Sequence, residues 1–260
     1  MTEQARVAPV TVAKNLAFGD LRSALAAGWK DFAARPVFGL FFAAIYVGAG
    51  IYFAYALAER GETAWLIPAA SGFPLVSPFV AVGLYEVSRR REEGLPLGWG
   101  TVLGALRGRG DDQLLMMGGF VFVGFTFWMI LAHGIFAIFM AESGLGAQSL
   151  SLFQTPAGLA MLGVGSVVGA LVALLFYAVT VISLPMLVDR DVDFLTAIIV
   201  SLATVRSNTL VMLVWAALIA VLLFAAMVPM FIGLFVVLPV LAHATWHLYR
   251  RVVRDMPRSA

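Results

Sequence analysis

The stretch LVMLVWAALIAVLLFAAMVPMFIGLFVVLPVLAHATWHL, Leu210–Leu248, decides the fold. Its 39 residues include no Asp, Glu, Lys or Arg. A helix crosses the roughly 30 Å of bilayer hydrocarbon with about 20 apolar residues. The stretch is therefore long enough for two crossings with a tight turn. Pro229 lies near its middle and supplies the break, because proline lacks a backbone N–H and clashes with the preceding turn. The reading is TM5 over 210–228 and TM6 over 230–248. Toward the N-terminus four further apolar tracts read the same way: TM1 over 37–58, TM2 over 64–85, TM3 over 114–140 and TM4 over 157–188. The expected fold is all-α, a polytopic membrane protein with six transmembrane helices in one membrane domain, 19–250. A flexible cytoplasmic N-terminus, 1–18, precedes it and a cytoplasmic tail, 251–260, follows.

Composition agrees. The 260 residues are 62% hydrophobic and 12% charged, against about half and a quarter in soluble domains. Mean hydropathy is +0.95. A formal charge of +2 is too small to suggest nucleic-acid binding. With no cysteine, disulfides, Cys-ligated clusters and thiolate nucleophiles are excluded. Basic and amphipathic sequence runs to Arg35 before the first long apolar tract, which is not the layout of a signal peptide.

The loops orient the spans. Of the 17 basic residues, 16 fall on one side under this six-span reading, and only Arg60 falls on the other. The positive-inside rule then places both termini in the cytoplasm. Trp29, Tyr85, Trp99, Trp246 and Tyr249 fall near the cytoplasmic ends. Tyr52, Tyr55 and Trp65 fall near the outer ends, as interfacial aromatics do.

A unit recurs. Leu21, Leu25, Trp29 and Phe32 recur at helical spacing after Asp20, which predicts a capped helix lying in the cytoplasmic interface. Pro36 marks a break before TM1. Phe194, Ile198, Leu202 and Val205 repeat that spacing 173 residues later, with Asp193 in the place of Asp20. A third, glycine-weakened copy is read at Trp99–Arg109. Pro78 precedes Arg89-Arg90 by 11 residues, as Pro239 precedes Arg250-Arg251. The pattern is an interfacial helix followed by a transmembrane hairpin, and it reads either as an internal repeat or as chance likeness between apolar helices.

Candidate sites follow from residue chemistry. Pro68, Pro74 and Pro78 interrupt TM2, with Gly72 between them. Freed backbone carbonyls in lipid need partners. Gly72, Phe73, Pro74, Ser77 and Pro78 therefore mark either a broken helix lining a cavity or a plain kink. His243 and His247 stand at i and i+4 on TM6, a spacing that lets one face offer two imidazoles to a metal. His133 falls at a different depth and supplies no third ligand, so packing or interface roles compete with metal binding. Arg89, Arg90 and Arg91 are candidate contacts to anionic lipid or an acidic partner, or a topological anchor. Gly165, Gly169 and Ala173 form a small-residue stripe on TM4 that packs within the chain or against a second copy. Ala44 and Gly48 share that spacing on TM1. No Asp, Glu, Lys or Arg falls well inside a span, which argues against coupled ion transport. Zinc-protease, P-loop and nucleophile-elbow motifs are missing, so no catalytic residue and no cofactor is expected.

Several motifs together resemble a bacterial family of predicted integral membrane proteins of unknown function. They are Gly28-Trp29-Lys30-Asp31-Phe32, Gly72-Phe73-Pro74-Leu75 with Ser77-Pro78, Gly83-Leu84-Tyr85-Glu86, Ser88-Arg89-Arg90-Arg91-Glu92, and Leu238-Pro239 with His243-Ala244-Thr245-Trp246-His247. The resemblance runs from about Ala13 to Tyr249. Members are sometimes labelled cytochrome c oxidase subunits, a label that implies no catalytic residue here. The resemblance implies a bacterial inner-membrane location, and the expected role is a non-catalytic accessory or assembly factor of a membrane complex, such as a respiratory one. The alternative is a facilitator or lipid-handling protein using TM2. The expected partners are the lipid bilayer and a membrane protein or a second copy.

Overall fold

A computed structural model describes residues 10–61, 77–105, 112–140 and 154–255. Those residues are helical apart from one short ribbon. In chain order they form β1 (Val10–Val12), α1 (Phe18–Ala34), α2 (Pro36–Glu59), α3 (Ser77–Glu92), α4 (Trp99–Gly104), α5 (Gln113–Met140) and α6 (Pro156–Thr180). There follow α7 (Ser183–Asp189), α8 (Phe194–Ser207), α9 (Thr209–Met227), α10 (Leu234–Val252) and β2 (Val253–Asp255).

Helix ends follow local chemistry. Pro36 opens α2 at a position where the missing N–H has no helical partner, and Arg35 sits between α1 and α2 in a non-helical conformation. Pro156 opens α6 behind Thr155, whose hydroxyl accepts the Gly158 N–H. Asp193 caps α8 through the Thr196 N–H. Asp20 differs from its counterpart: α1 begins two residues earlier, at Phe18, and the Asp20 carboxylate reaches back to the Ala17 N–H. Between α9 and α10 the chain turns through Met230 and Phe231, both at positive φ, so the expected break next to Pro229 is present.

Among the described residues, four helices are long and apolar enough to cross a membrane: Pro36–Glu59, Gln113–Phe139, Pro156–Asp189 and Thr209–Met227. Much of the expected TM2 lies outside the described residues. The expected TM6 corresponds to α10, a largely buried helix. It packs against α1, α2, α3 and α9, and Leu234, Leu238, Leu241, Trp246, Leu248 and Tyr249 are buried along it.

Close approach explains that centre. A Cβ on Gly28 of α1 would lie 2.6 Å from the Ala244 nitrogen and 2.7 Å from the Val240 carbonyl oxygen. Only glycine lets the α1 and α10 backbones meet there. Gly39 of α2 receives the Pro239 ring in the same manner. The apolar stripe of α1 therefore meets protein. Leu21 and Phe32 are buried, Leu25 packs against the core, and only Trp29 of the four is exposed. On α8 likewise Phe194, Ile198 and Val205 turn to the core, while Leu195, Ile199 and Leu202 are exposed.

The α5–α6 hairpin packs on itself through Trp128 seated at Gly169 and Phe176 seated at Gly124, and α6 also packs against α8 and bonds the Met212 carbonyl of α9 through the Tyr177 hydroxyl. Gly169 of the TM4 stripe thus meets a partner inside the chain and Ala173 packs beside it, whereas a Cβ on Gly165 would meet nothing within 4 Å. Gly48 on α2 is equally open.

At the other extreme of the chain β1 pairs antiparallel with β2, Val10 opposite Asp255 and Val12 opposite Val253. Asn208 fastens the next turn of the N-terminal segment. Its side-chain amide donates to the Ala13 carbonyl at 2.8 Å and its oxygen accepts the Leu16 N–H at 3.1 Å.

Candidate functional site

Three helices bring polar side chains into one buried cluster. Asp31 comes from α1, Ser88 and Arg91 from the last turns of α3, and His243 and His247 from α10. Asp31 lies on the same side of α1 as Gly28 and Ala24, so the close α1–α10 contact carries its carboxylate inward. Ser88 and His243 are fully buried.

The hydrogen bonds have a definite direction. The Ser88 hydroxyl donates to Asp31 Oδ2 at 2.6 Å, which uses its single proton. His243 Nδ1 lies 2.7 Å from the same hydroxyl oxygen, so Nδ1 carries the proton and donates. His243 Nε2 is buried and has no hydrogen-bond partner among the described residues. His247 Nε2 approaches Asp31 Oδ2 at 2.8 Å, and Arg91 Nε donates to Asp31 Oδ1 at 2.8 Å. Burial pushes the Asp31 carboxyl up, but the hydrogen bonds from His247, Ser88 and Arg91 outweigh it and bring it down to about 2.

This order of donors differs from nucleophilic catalysis. There the serine gives its proton to histidine, and histidine is held by a carboxylate. Here the serine gives its proton to the carboxylate and receives one from histidine. The arrangement clamps three helices together and leaves Ser88 unactivated.

A charge network surrounds the cluster. Arg89 is 5% exposed, and its guanidinium is held by Glu86 at 2.6 and 2.7 Å and by Glu93 at 2.6 Å. The Glu86 bond raises its affinity for the proton further, against burial. Arg90 binds Glu86 and the Pro96 carbonyl. Glu92 accepts from Trp246 Nε1 and Arg250, and Asp189 from Tyr249 and Arg250. Arg251 reaches Asp20 at 3.0 Å.

The sequence expectations sort as follows. Arg89 is corrected: a buried guanidinium held by two carboxylates is not free for lipid or an acidic partner. Arg90 and Arg91 are partly exposed but also bonded within the chain. His243 and His247 do share one region, yet Nδ1 of the first and Nε2 of the second bind different acceptors. Among the described residues no group of three or more His, Asp or Glu is placed to hold a metal. His133 is exposed on α5 and bonds the Met129 carbonyl. Gly72, Phe73 and Pro74 lie outside the described residues. Ser77 and Pro78 fall in the first turn of α3, and their side chains also lie outside the description. Sequence reasoning did not single out Asp31 or Ser88 as a pair. The available signal was Asp31 itself, a carboxylate on the apolar side of an amphipathic helix.

Residues 66–189, just under half of the chain, match a family described as "Predicted integral membrane protein (DUF2189)". This is a family of unknown function of the kind that the motifs resemble. The match includes Ser88 and the Arg89–Arg91 run and stops short of Asp31, His243 and His247. No curated protein and no solved structure matches the chain.

Proposed function

We propose that this predicted integral membrane protein is a non-catalytic accessory or assembly factor of a larger membrane complex. In this reading it has six spans and both termini are cytoplasmic. One observation carries the reading: α5 has little cover of its own. Only 22% of its most apolar window is buried, and Phe122, Val123, Phe127 and Ile130 are exposed along it. Helices in a bilayer associate by packing rather than by the hydrophobic effect, so the bare, glycine-bearing face of α5 is a surface on which another membrane helix can seat.

Two further features support the proposal. The polar cluster at Asp31 is used internally, with its serine proton directed to a carboxylate, which favours a structural clamp over a reaction centre. The β1–β2 ribbon holds the N- and C-terminal segments side by side, in keeping with an even number of crossings between them. The bias of basic residues makes that side cytoplasmic. The test is purification of the tagged protein in mild detergent. A stoichiometric membrane partner, lost when Phe122 and Ile130 are both changed to Ala, is the expected result. Recovery of the protein alone would sink the proposal.

A further inference from the structure

We infer that the exposed face of α1, together with the corner where α1 meets α2, is a binding surface for the headgroups of anionic phospholipids. The inference rests on the chain being embedded in a bilayer. It starts from where the charges are spent. Asp20, Asp31, Glu86, Glu92, Glu93 and Asp189 are each bonded to a cation or donor of the chain. Arg22, Lys30 and Arg35 are exposed, and none has a side-chain hydrogen-bond or ion-pair partner among the described residues. The cations that the sequence offered to lipid, in the Arg89–Arg91 run, are taken by protein carboxylates. These three are not.

Their surroundings have the layering of a membrane interface. At about 100° per residue, Phe18, Arg22 and Trp29 fall within one narrow stripe of α1, opposite the buried Ala24, Gly28 and Asp31. Phe18 and Trp29 are 51% and 53% exposed. Lys30 flanks the stripe. Arg35 then forms the corner, after which α2 exposes Val37, Leu40, Phe41 and Ile45 with no charge among them. The chain thus passes from cations and aromatic rings to bare aliphatic surface within a few residues. A tryptophan ring such as that of Trp29 sits at headgroup level, and cations there are drawn to an anionic leaflet. A zwitterionic headgroup would bring its own cation against three unpaired ones. A net-anionic headgroup such as phosphatidylglycerol brings none, so charge complementarity selects it.

The test uses the full chain. It is first floated with vesicles of pure phosphatidylcholine to establish insertion, then offered phosphatidylglycerol and phosphatidylcholine of identical acyl chains in equal amount. Retained lipid is counted by native mass spectrometry. We expect at least ten-fold preference for phosphatidylglycerol. The triple variant Arg22→Gln, Lys30→Gln, Arg35→Gln is expected to bring the preference near parity, since each juxtamembrane cation contributes about five-fold. Arg22→Lys with Arg35→Lys should keep the preference, which separates charge from folding. Arg60→Gln, an exposed cation at the far end of α2, should leave it unchanged. Failure to float removes the membrane premise and the inference with it. Flotation with equal retention of the two lipids overturns the inference alone. So does a triple variant that keeps the preference, or an Arg60→Gln variant that loses as much. Loss of a co-purifying protein from the triple variant, with lipid preference unchanged, would assign the corner to a protein partner instead.

Discussion

Asp31→Asn isolates the clamp at the centre of the fold. The amide is nearly isosteric with the carboxylate but offers one acceptor atom in place of two. The less costly orientation keeps the oxygen toward Ser88 and His247 and turns the NH2 toward Arg91, which is partly exposed and can turn to water. A bond to a charged acceptor is worth about 1 kcal/mol more than one to a neutral acceptor, so the two retained bonds lose about 2 kcal/mol together. The Arg91 bond, at a partly solvated site, adds up to about 1 kcal/mol. The expected loss is about 2–3 kcal/mol, read as a lower unfolding midpoint in detergent micelles at pH 7 by tryptophan fluorescence. Asp31→Ala, which leaves every donor without its acceptor, should cost about 3–5 kcal/mol. The pH dependence has a fixed sign. The folded carboxyl is held at about 2, below its ordinary 3.8. Its contribution is therefore present above about pH 4 and is lost as pH falls toward 2. The gap between wild type and Asp31→Asn should close over that window. An unchanged midpoint at pH 7, or a gap that stays constant from pH 5 to pH 2, would refute the assigned bonding.

Three further outcomes are expected. Gly28→Ala places a methyl against α10 backbone atoms, at an overpacking cost of about 1–3 kcal/mol that the better helix propensity of alanine only partly offsets, whereas Gly48→Ala meets nothing and should be neutral or stabilising by up to about 1 kcal/mol; unfolding of the two variants side by side checks this. Asn208→Ala releases both amide bonds to the N-terminal segment, so limited proteolysis ahead of α1 should quicken while the remaining helices stay protected. Gly169→Leu should push Trp128 off α6 and splay the hairpin, seen as a change in tryptophan emission with little loss of total helix.

Sequence alone determined the membrane class, the positions of four long apolar helices and the break next to Pro229. These depend on local quantities: the length of an apolar run and the backbone chemistry of proline. It also found the two short helices around Leu21–Phe32 and Phe194–Val205. Which way they face was decided by tertiary structure. An apolar stripe can meet lipid or protein with equal comfort, and periodicity does not distinguish the two. The stripe on α1 met α10 because Gly28 allowed the backbones to touch, and that contact carried Asp31 inward. Charge was similarly ambiguous. The Arg89–Arg91 run read as a contact to lipid or an acidic partner or as a topological anchor, and Glu86 and Glu93, one helical turn away on either side, enclose Arg89. Ser88 and Asp31 are 57 residues apart, and Ser88 and His243 are 155 apart. No local pattern pairs groups so distant. Their meeting depends on how three helices cross, and the order of protons among them is set only once they have met.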